Sequence, residues 1–175
     1  GDPSATPFVL EALRLDPDPD EVMENAPTII GHLGAHAIPE VARFVLDESA
    51  PGMMRAAACD GLAAIALLHP FTRVPIVGFL RRFVEAAAQH QVEAVTGAVL
   101  ALLELRDEES LPAIVRAFHA GRVDQDLITI DDAREAFDIP ESISRDWHYT
   151  GDPLEFLSNE SRQRLRRKYL HGRRG

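Results

Sequence analysis

Apolar residues recur at three- and four-residue intervals along most of the chain, the period of an α-helix that buries one face. Met53, Met54, Ala57, Ala58, Gly61, Leu62, Ile65 and Leu68 form one such stripe, and Val92, Val95, Ala98, Val99, Leu102 and Leu105 form another. A shift of 37 residues lays Gly61 on Ala98, Leu62 on Val99, Ile65 on Leu102 and Leu68 on Leu105. Pro39, Pro75 and Pro112 sit in one local phrase (Ile38-Pro39-Glu40-Val41, Val74-Pro75-Ile76-Val77, Leu111-Pro112-Ala113-Ile114) at spacings of 36 and 37 residues. Agreement between the stripes and the prolines predicts an all-α chain built from about three helical pairs.

Capping and turn residues place the boundaries. Residues 1–19 read as an N-terminal cap, with Thr6 as helix cap, Pro7 as first helical residue, and Phe8, Leu10 and Leu13 on one side. The run Asp16-Pro17-Asp18-Pro19-Asp20-Glu21 has the alternating acids of a calcium loop, but Glu21 and Pro27 stand where that loop needs Gly and a bidentate Glu. It reads instead as a turn and helix start with Asp18 as cap. Residues 20–121 hold the three repeats. The first has a helix interrupted near Pro27, a turn at Leu33-Gly34 and a second helix over 38–46; the second turns at His69-Pro70 into a helix over 73–88; in the third, Asp107 opens a helix that ends at Gly121. Residues 122–157 read as a C-terminal cap with a short helix over 131–137 and a core of Trp147, Leu154, Phe156 and Leu157, followed by a basic helix or tail over 158–175.

The opening Arg55-Ala56-Ala57-Ala58, the leucines that follow it, the turn, and the apolar-proline start of the second helix resemble HEAT-like repeats, particularly the short type found in phycobilisome lyases. The order of elements from Glu21 to Phe137 also resembles an uncharacterised bacterial family of helical-repeat proteins. These resemblances imply a right-handed α-solenoid that binds other macromolecules, and they carry no catalytic residue. The phycobilisome likeness also implies a rival role, lyase- or chaperone-like handling of a small ligand.

Composition adds limits. The formal net charge is −10, with 11 basic and 27 acidic residues in the first 159 positions and 7 basic and 1 acidic residue in the last 16. An acidic body repels phosphate backbones, so nucleic-acid binding is expected only of the tail Arg162, Arg164, Arg166, Arg167 and Lys168, which has the acidic body itself as a nearer partner. One cysteine, Cys59, excludes an internal disulfide framework and a multi-thiolate zinc site. Apolar runs are broken by Arg81-Arg82, Glu85 and Glu104, so no membrane span is expected and a cytoplasmic location is inferred. Gly1 stands where an initiator methionine would, which leaves an upstream targeting segment open. Seventeen arginines against Lys168 alone, with abundant alanine, fit a high-GC bacterial genome.

Three groups invite a chemical reading. His32, His36 and Glu40 have metal-ligand spacing only if one helix runs through them, and Gly34 and Pro39 place a turn there, so no metal is assigned. Cys59 lies among small apolar residues and reads as a buried hydrophobe. Asp146, Trp147, His148, Tyr149 and Asp152 concentrate imidazole, carboxylates and aromatics, but a cap needs the same residues. No cofactor and no catalytic residue is assigned.

The expected working surface is the second helix of each pair, which lines the concave side of a HEAT-like array. With the prolines as register, Glu40, Arg43 and Asp47, then Ile76, Phe79 and Arg82, then Ala113, Arg116 and His119 point outward. A protein partner is expected to seat an apolar segment on Ile76 and Phe79 while Arg43, Arg82, Arg116 and His119 meet its acidic groups.

Overall fold

The computed structural model describes residues 3–15 and 19–138. Within them all regular structure is helical: α1 (Thr6–Leu15), α2 (Pro19–Leu33), α3 (Ile38–Leu46), α4 (Gly52–Leu68), α5 (Arg73–Glu85), α6 (Val92–Glu104), α7 (Leu111–His119) and α8 (Ile130–Glu135). Short 3-10 turns at Ala35–Ala37, Pro70–Thr72 and Glu108–Ser110 lead directly into α3, α5 and α7.

The centre is α4, which packs on α2 along one side and on α6 along the other. Its residues from Met54 to Cys59 and from Gly61 to Ala66 are buried, so it is apolar nearly all round, as a helix with neighbours on most sides must be. Small residues set the close approach. A Cβ on residue 97 would lie 2.5 Å from both Cα and Cβ of Ala56, and one on residue 61 would lie 2.7 Å from two carbons of Ile30. The other helices close the core: α3 packs on α4, α5 on α4 and α6, α7 on α5 and α8, and α1 on α2 and α3.

Turns follow from local chemistry. Gly34 (φ 87°) and Gly121 (φ 63°) occupy the left-handed region after α2 and α7, where a side chain costs roughly 1–2 kcal/mol. Arg106 takes the same conformation after α6 without being glycine (φ 52°). There the Asp107 amide donates to Leu102 O (3.0 Å) and the Arg106 amide to Leu103 O (2.9 Å), satisfying two of the last carbonyls of α6. The Arg106 guanidinium then donates to the carbonyls of Phe137 (2.6 Å) and Ala136 (3.3 Å), which ties the end of α8 to the end of α6.

Several boundaries differ from the sequence expectation. Pro27 lies inside α2 without ending it. A proline removes a single amide bond, and Ala26 and Ile30 on either side of it are buried, so packing outweighs that loss. Thr6 does not cap α1: it is the first residue of the helix, and its buried hydroxyl has no partner among the described residues. The helix over 73–88 stops at Glu85, and a 3-10 turn takes Ala87–Gln89. α8 starts at Ile130, fixed by a reciprocal capping box between Thr129 and Asp132. Val123, Ile128 and Ala133 carry the core past α7. The expected cap core at Trp147, Leu154, Phe156 and Leu157, the group Asp146 to Asp152, the capping role of Asp18 and the basic tail lie outside the described residues. Among those described, no helix is long and apolar enough to cross a membrane.

Candidate functional site

Arginines divide into two groups, and the division locates the candidate site. The first group clamps helix ends. Arg55, wholly buried, donates from Nε to Val45 O at the end of α3 (2.7 Å) and from both terminal nitrogens to the Glu48 carboxylate (2.7 and 2.5 Å). Glu48 also meets His90 Nδ1 at 2.7 Å, and the His90 ring stacks flat on Phe83 with centroids 3.9 Å apart. The Arg55 guanidinium holds the Glu48 carboxyl below its ordinary range, with desolvation opposing and His90 helping. Arg81 binds both oxygens of Asp107 (2.8 Å each from Nη2) and reaches Glu109 (3.0 Å), joining α5 to the turn before α7. Arg122 donates to the backbone of Ala87 and His90, Arg14 pairs with Asp47, and Arg134 pairs with Asp131.

Arg43, Arg73, Arg82 and Arg116 form the second group; none has a hydrogen bond or ion pair among the described residues, and all lie on α3, α5 or α7. Arg43, Arg82 and Arg116 are exposed. Arg55 of α4 bridges two of these helices, bonding Val45 O of α3 and lying 5.7 Å from the Phe83 ring of α5, while α5 packs on α7.

Counted from the helix starts, Arg43 and Arg116 are each the sixth residue of their helices, and the sixth residue of α5 is Gly78. A Cβ at Gly78 would meet a single group, Arg82 Nη1 at 3.5 Å, so the Arg82 guanidinium lies over that gap. The Arg82 guanidinium thus lies near the sixth position of α5, the position that Arg43 and Arg116 occupy in α3 and α7. One turn earlier, the second residues are Pro39, Val74 and Pro112, all exposed. Residues at i and i+4 share a helix face, so on each helix the exposed apolar residue shares a face with that helix's sixth position. His119 is exposed at the end of α7.

Two of the expected surface residues are misplaced by the proline register. Ile76 is fully buried and cannot touch a partner, and Ala113 is buried as well. For Ile76 the reason is that Pro75 is the third residue of α5, whereas Pro39 and Pro112 are the second residues of α3 and α7; Ala113, the third residue of α7, is buried without any such shift. Aligned from the helix starts, Ile76 corresponds to Val41 and Ile114, both core residues. Phe79 is half-buried against the core, with its ring 6.4 Å from that of Phe83, so it is no free anchor either. The apolar residues that do reach solvent here are Val74, 81% exposed, and Phe71 in the preceding turn, 78% exposed. Sequence reasoning missed both. The 3-10 turn before each helix marks the register better than the proline does, but its sequences Ala-His-Ala, Pro-Phe-Thr and Glu-Glu-Ser share no pattern that the chain alone would reveal.

The remaining chemical candidates are dispersed. His32 ends α2, His36 sits in the 3-10 turn and Glu40 belongs to α3, so they do not share a helix. Burial raises the Cys59 thiol well above its ordinary range, which suppresses the thiolate that a nucleophile needs. Burial also pushes the Asp60 carboxyl on α4 up to about 7, with Glu104 of α6 adding to the rise. No family model, curated protein or solved structure matches this chain.

Proposed function

We propose that this chain is a non-enzymatic interaction module, a short right-handed HEAT-like solenoid of about three repeats that holds a partner protein along the exposed face of α3, α5 and α7. The observation that carries this reading is the partition of arginines. In a chain of net charge −10, with carboxylates in excess, Arg43, Arg82 and Arg116 are exposed on α3, α5 and α7 with no partner among the described residues. Arg14, Arg55, Arg81, Arg106, Arg122 and Arg134 are held by internal partners, and Arg73, at the start of α5, has none among the described residues either. Planar guanidiniums free of internal partners favour carboxylate recognition, and the exposed Pro39, Val74 and Pro112 beside them supply the apolar contact that exposed ion pairs alone lack. The role needs no cofactor, and its setting is a cytoplasm.

The test is affinity capture with the full chain from lysate of the source cells, comparing wild type with Arg43→Glu/Arg82→Glu/Arg116→Glu. A protein retained by wild type and lost by the variant, with unchanged circular dichroism, supports the reading. Retention of the same protein by both removes this face from the function.

A further inference from the structure

The four most exposed large apolar side chains among the described residues fall on two faces of opposite charge. Phe8 (77%) and Leu15 (71%) lie on α1, while Phe71 (78%) and Val74 (81%) lie in the turn before α5 and in its first turn. On α1 the exposed positions Phe8, Glu11, Ala12 and Leu15 recur at i, i+3, i+4 and i+7, which makes one continuous face, while Leu10 and Leu13 belong to the core. A helix apolar on both sides is one that is covered on both sides. Glu11 is the one charge on the outer face and has no partner among the described residues.

The start of α5 carries the opposite sign. Its first turn holds no acid, and the Arg82 guanidinium lies over Gly78, one turn beyond Val74 on the same side of the helix. Phe8 and Glu11, three residues apart, have Cβ atoms about 5–6 Å apart, and the same separation holds between Val74 and the Cβ position at Gly78 where Arg82 ends. Each helix therefore presents an apolar group and a charge at matching separation, with the charges opposed. We propose that α1 of a second copy of this chain docks on the start of α5, with Phe8 and Leu15 on Phe71 and Val74 and the Glu11 carboxylate on Arg82. The contact presupposes the interaction face proposed above and names a second copy as the occupant of its α5 part. Pairing like with like is disfavoured, because α1 on α1 brings Glu11 against Glu11, and α5 on α5 brings arginine against arginine.

Area decides how the contact is used. At about 200 Å² for a whole phenylalanine side chain, Phe8 and Phe71 each offer roughly 150 Å². One such contact falls short of the about 800 Å² per partner of a standard stable interface. Exchange in both directions, each copy giving its α1 and receiving the other's, doubles the area and closes the pair about a two-fold axis.

Sedimentation equilibrium of the full chain over about 5–500 µM is expected to show a dimer with a Kd in the micromolar to sub-millimolar range, on the order of 100 µM. Phe8→Asp and Val74→Asp alter exposed side chains and are each expected to weaken it at least about tenfold, with unchanged circular dichroism. Glu11→Arg and Arg82→Glu are each expected to weaken it about threefold or more, and the chain carrying both is expected to return to within about threefold of wild type, a recovery that damage to the fold would not give. A double variant weaker than either single one overturns the pairing of Glu11 with Arg82. A chain that stays monomeric throughout, or a dimer that responds to only one of Phe8→Asp and Val74→Asp, overturns the docking of α1 on α5. Each of those results leaves the α3, α5 and α7 face open to another protein, which the capture from lysate decides separately.

Discussion

Arg55→Leu tests the clamp logic most directly. The wild-type side chain is fully buried and serves three acceptor atoms, Val45 O and both oxygens of Glu48. Leucine fills much of the same volume but donates nothing. Val45 O belongs to the last turn of α3, where carbonyls have no intrahelical donor, so its bond to Arg55 is not replaced within the helix. A buried carbonyl left unsatisfied costs about 1–3 kcal/mol. Glu48 behaves differently: its side chain is 47% exposed, so on losing Arg55 it rehydrates and forfeits only about 0.5–1 kcal/mol. The range of about 3–5 kcal/mol for stranding one member of a buried pair does not apply here, since the stranded member reaches water. The expected net loss is about 2–3 kcal/mol, or roughly 4–12 °C in Tm for a chain of this size. Urea unfolding followed by circular dichroism at 222 nm measures it, with Glu48→Gln as the companion. Glu48→Gln keeps acceptor geometry and is expected to cost no more than about 1 kcal/mol. The lowered folded pKa of Glu48 means its contribution is full above the ordinary glutamate range and is lost as pH falls through the folded value, so the gap between wild type and Glu48→Gln closes in acid. An Arg55→Leu variant within about 0.5 kcal/mol of wild type, or a Glu48→Gln loss equal to that of Arg55→Leu, would refute the assignment of the energy to the Val45 bond.

Two glycines should respond in opposite directions to alanine. Gly97→Ala places a Cβ against the Ala56 backbone and is expected to lose roughly 1–2 kcal/mol net of helix propensity, whereas Gly78→Ala meets only a mobile guanidinium and should gain about 0.5–1 kcal/mol, both read by urea midpoints. Asp60 should make the fold less stable as pH rises: its folded pKa of about 7 exceeds the unfolded value, so the folded state holds the extra proton between those values and stability declines across that window. Asp60→Asn should therefore stabilise by roughly 1–2 kcal/mol at pH 8, with little effect at pH 4, and a variant equal to wild type at pH 8 removes that account. Arg81→Gln and Arg82→Gln, adjacent in sequence, should separate in thermal melts. The first loses the bidentate bond to the largely buried Asp107 and about 1–2 kcal/mol, while the second stays within about 0.5 kcal/mol of wild type.

Much of the helical plan was readable because packing leaves a periodic trace. The stripe from Met53 to Leu68 exists because α4 must bury itself against α2 and α6, and any sequence that did so would show it. The bounds of α3 follow from Gly34, which alone takes φ 87° comfortably, and from a proline near the helix start. Pro27 misled because a proline's local penalty is visible in sequence and the compensating burial around it is not. Thr129 and Asp132, by contrast, formed a legible cap three residues apart that the expected start at Asp131 overlooked.

The face of α3, α5 and α7 was legible in kind but not in register. A one-residue difference in where Pro75 sits within α5 rotates every inferred position by about 100°, enough to carry Ile76 from the surface to the core. Arg82 reaches back along its helix over Gly78, the sixth position of α5, which Arg43 and Arg116 occupy in α3 and α7. Long side chains blur register where short ones report it. Which arginines lack a partner among the described residues was beyond the sequence altogether: Arg81 and Arg82 are chemically identical neighbours, and only the position of Asp107, 26 residues from Arg81, makes one a clamp and leaves the other exposed. In a chain with this many arginines, composition measures the demand for clamps as much as for binding. Among the described residues, the arginines left after the internal acceptors are counted lie on α3, α5 and α7, and the proposed interaction face rests on that remainder.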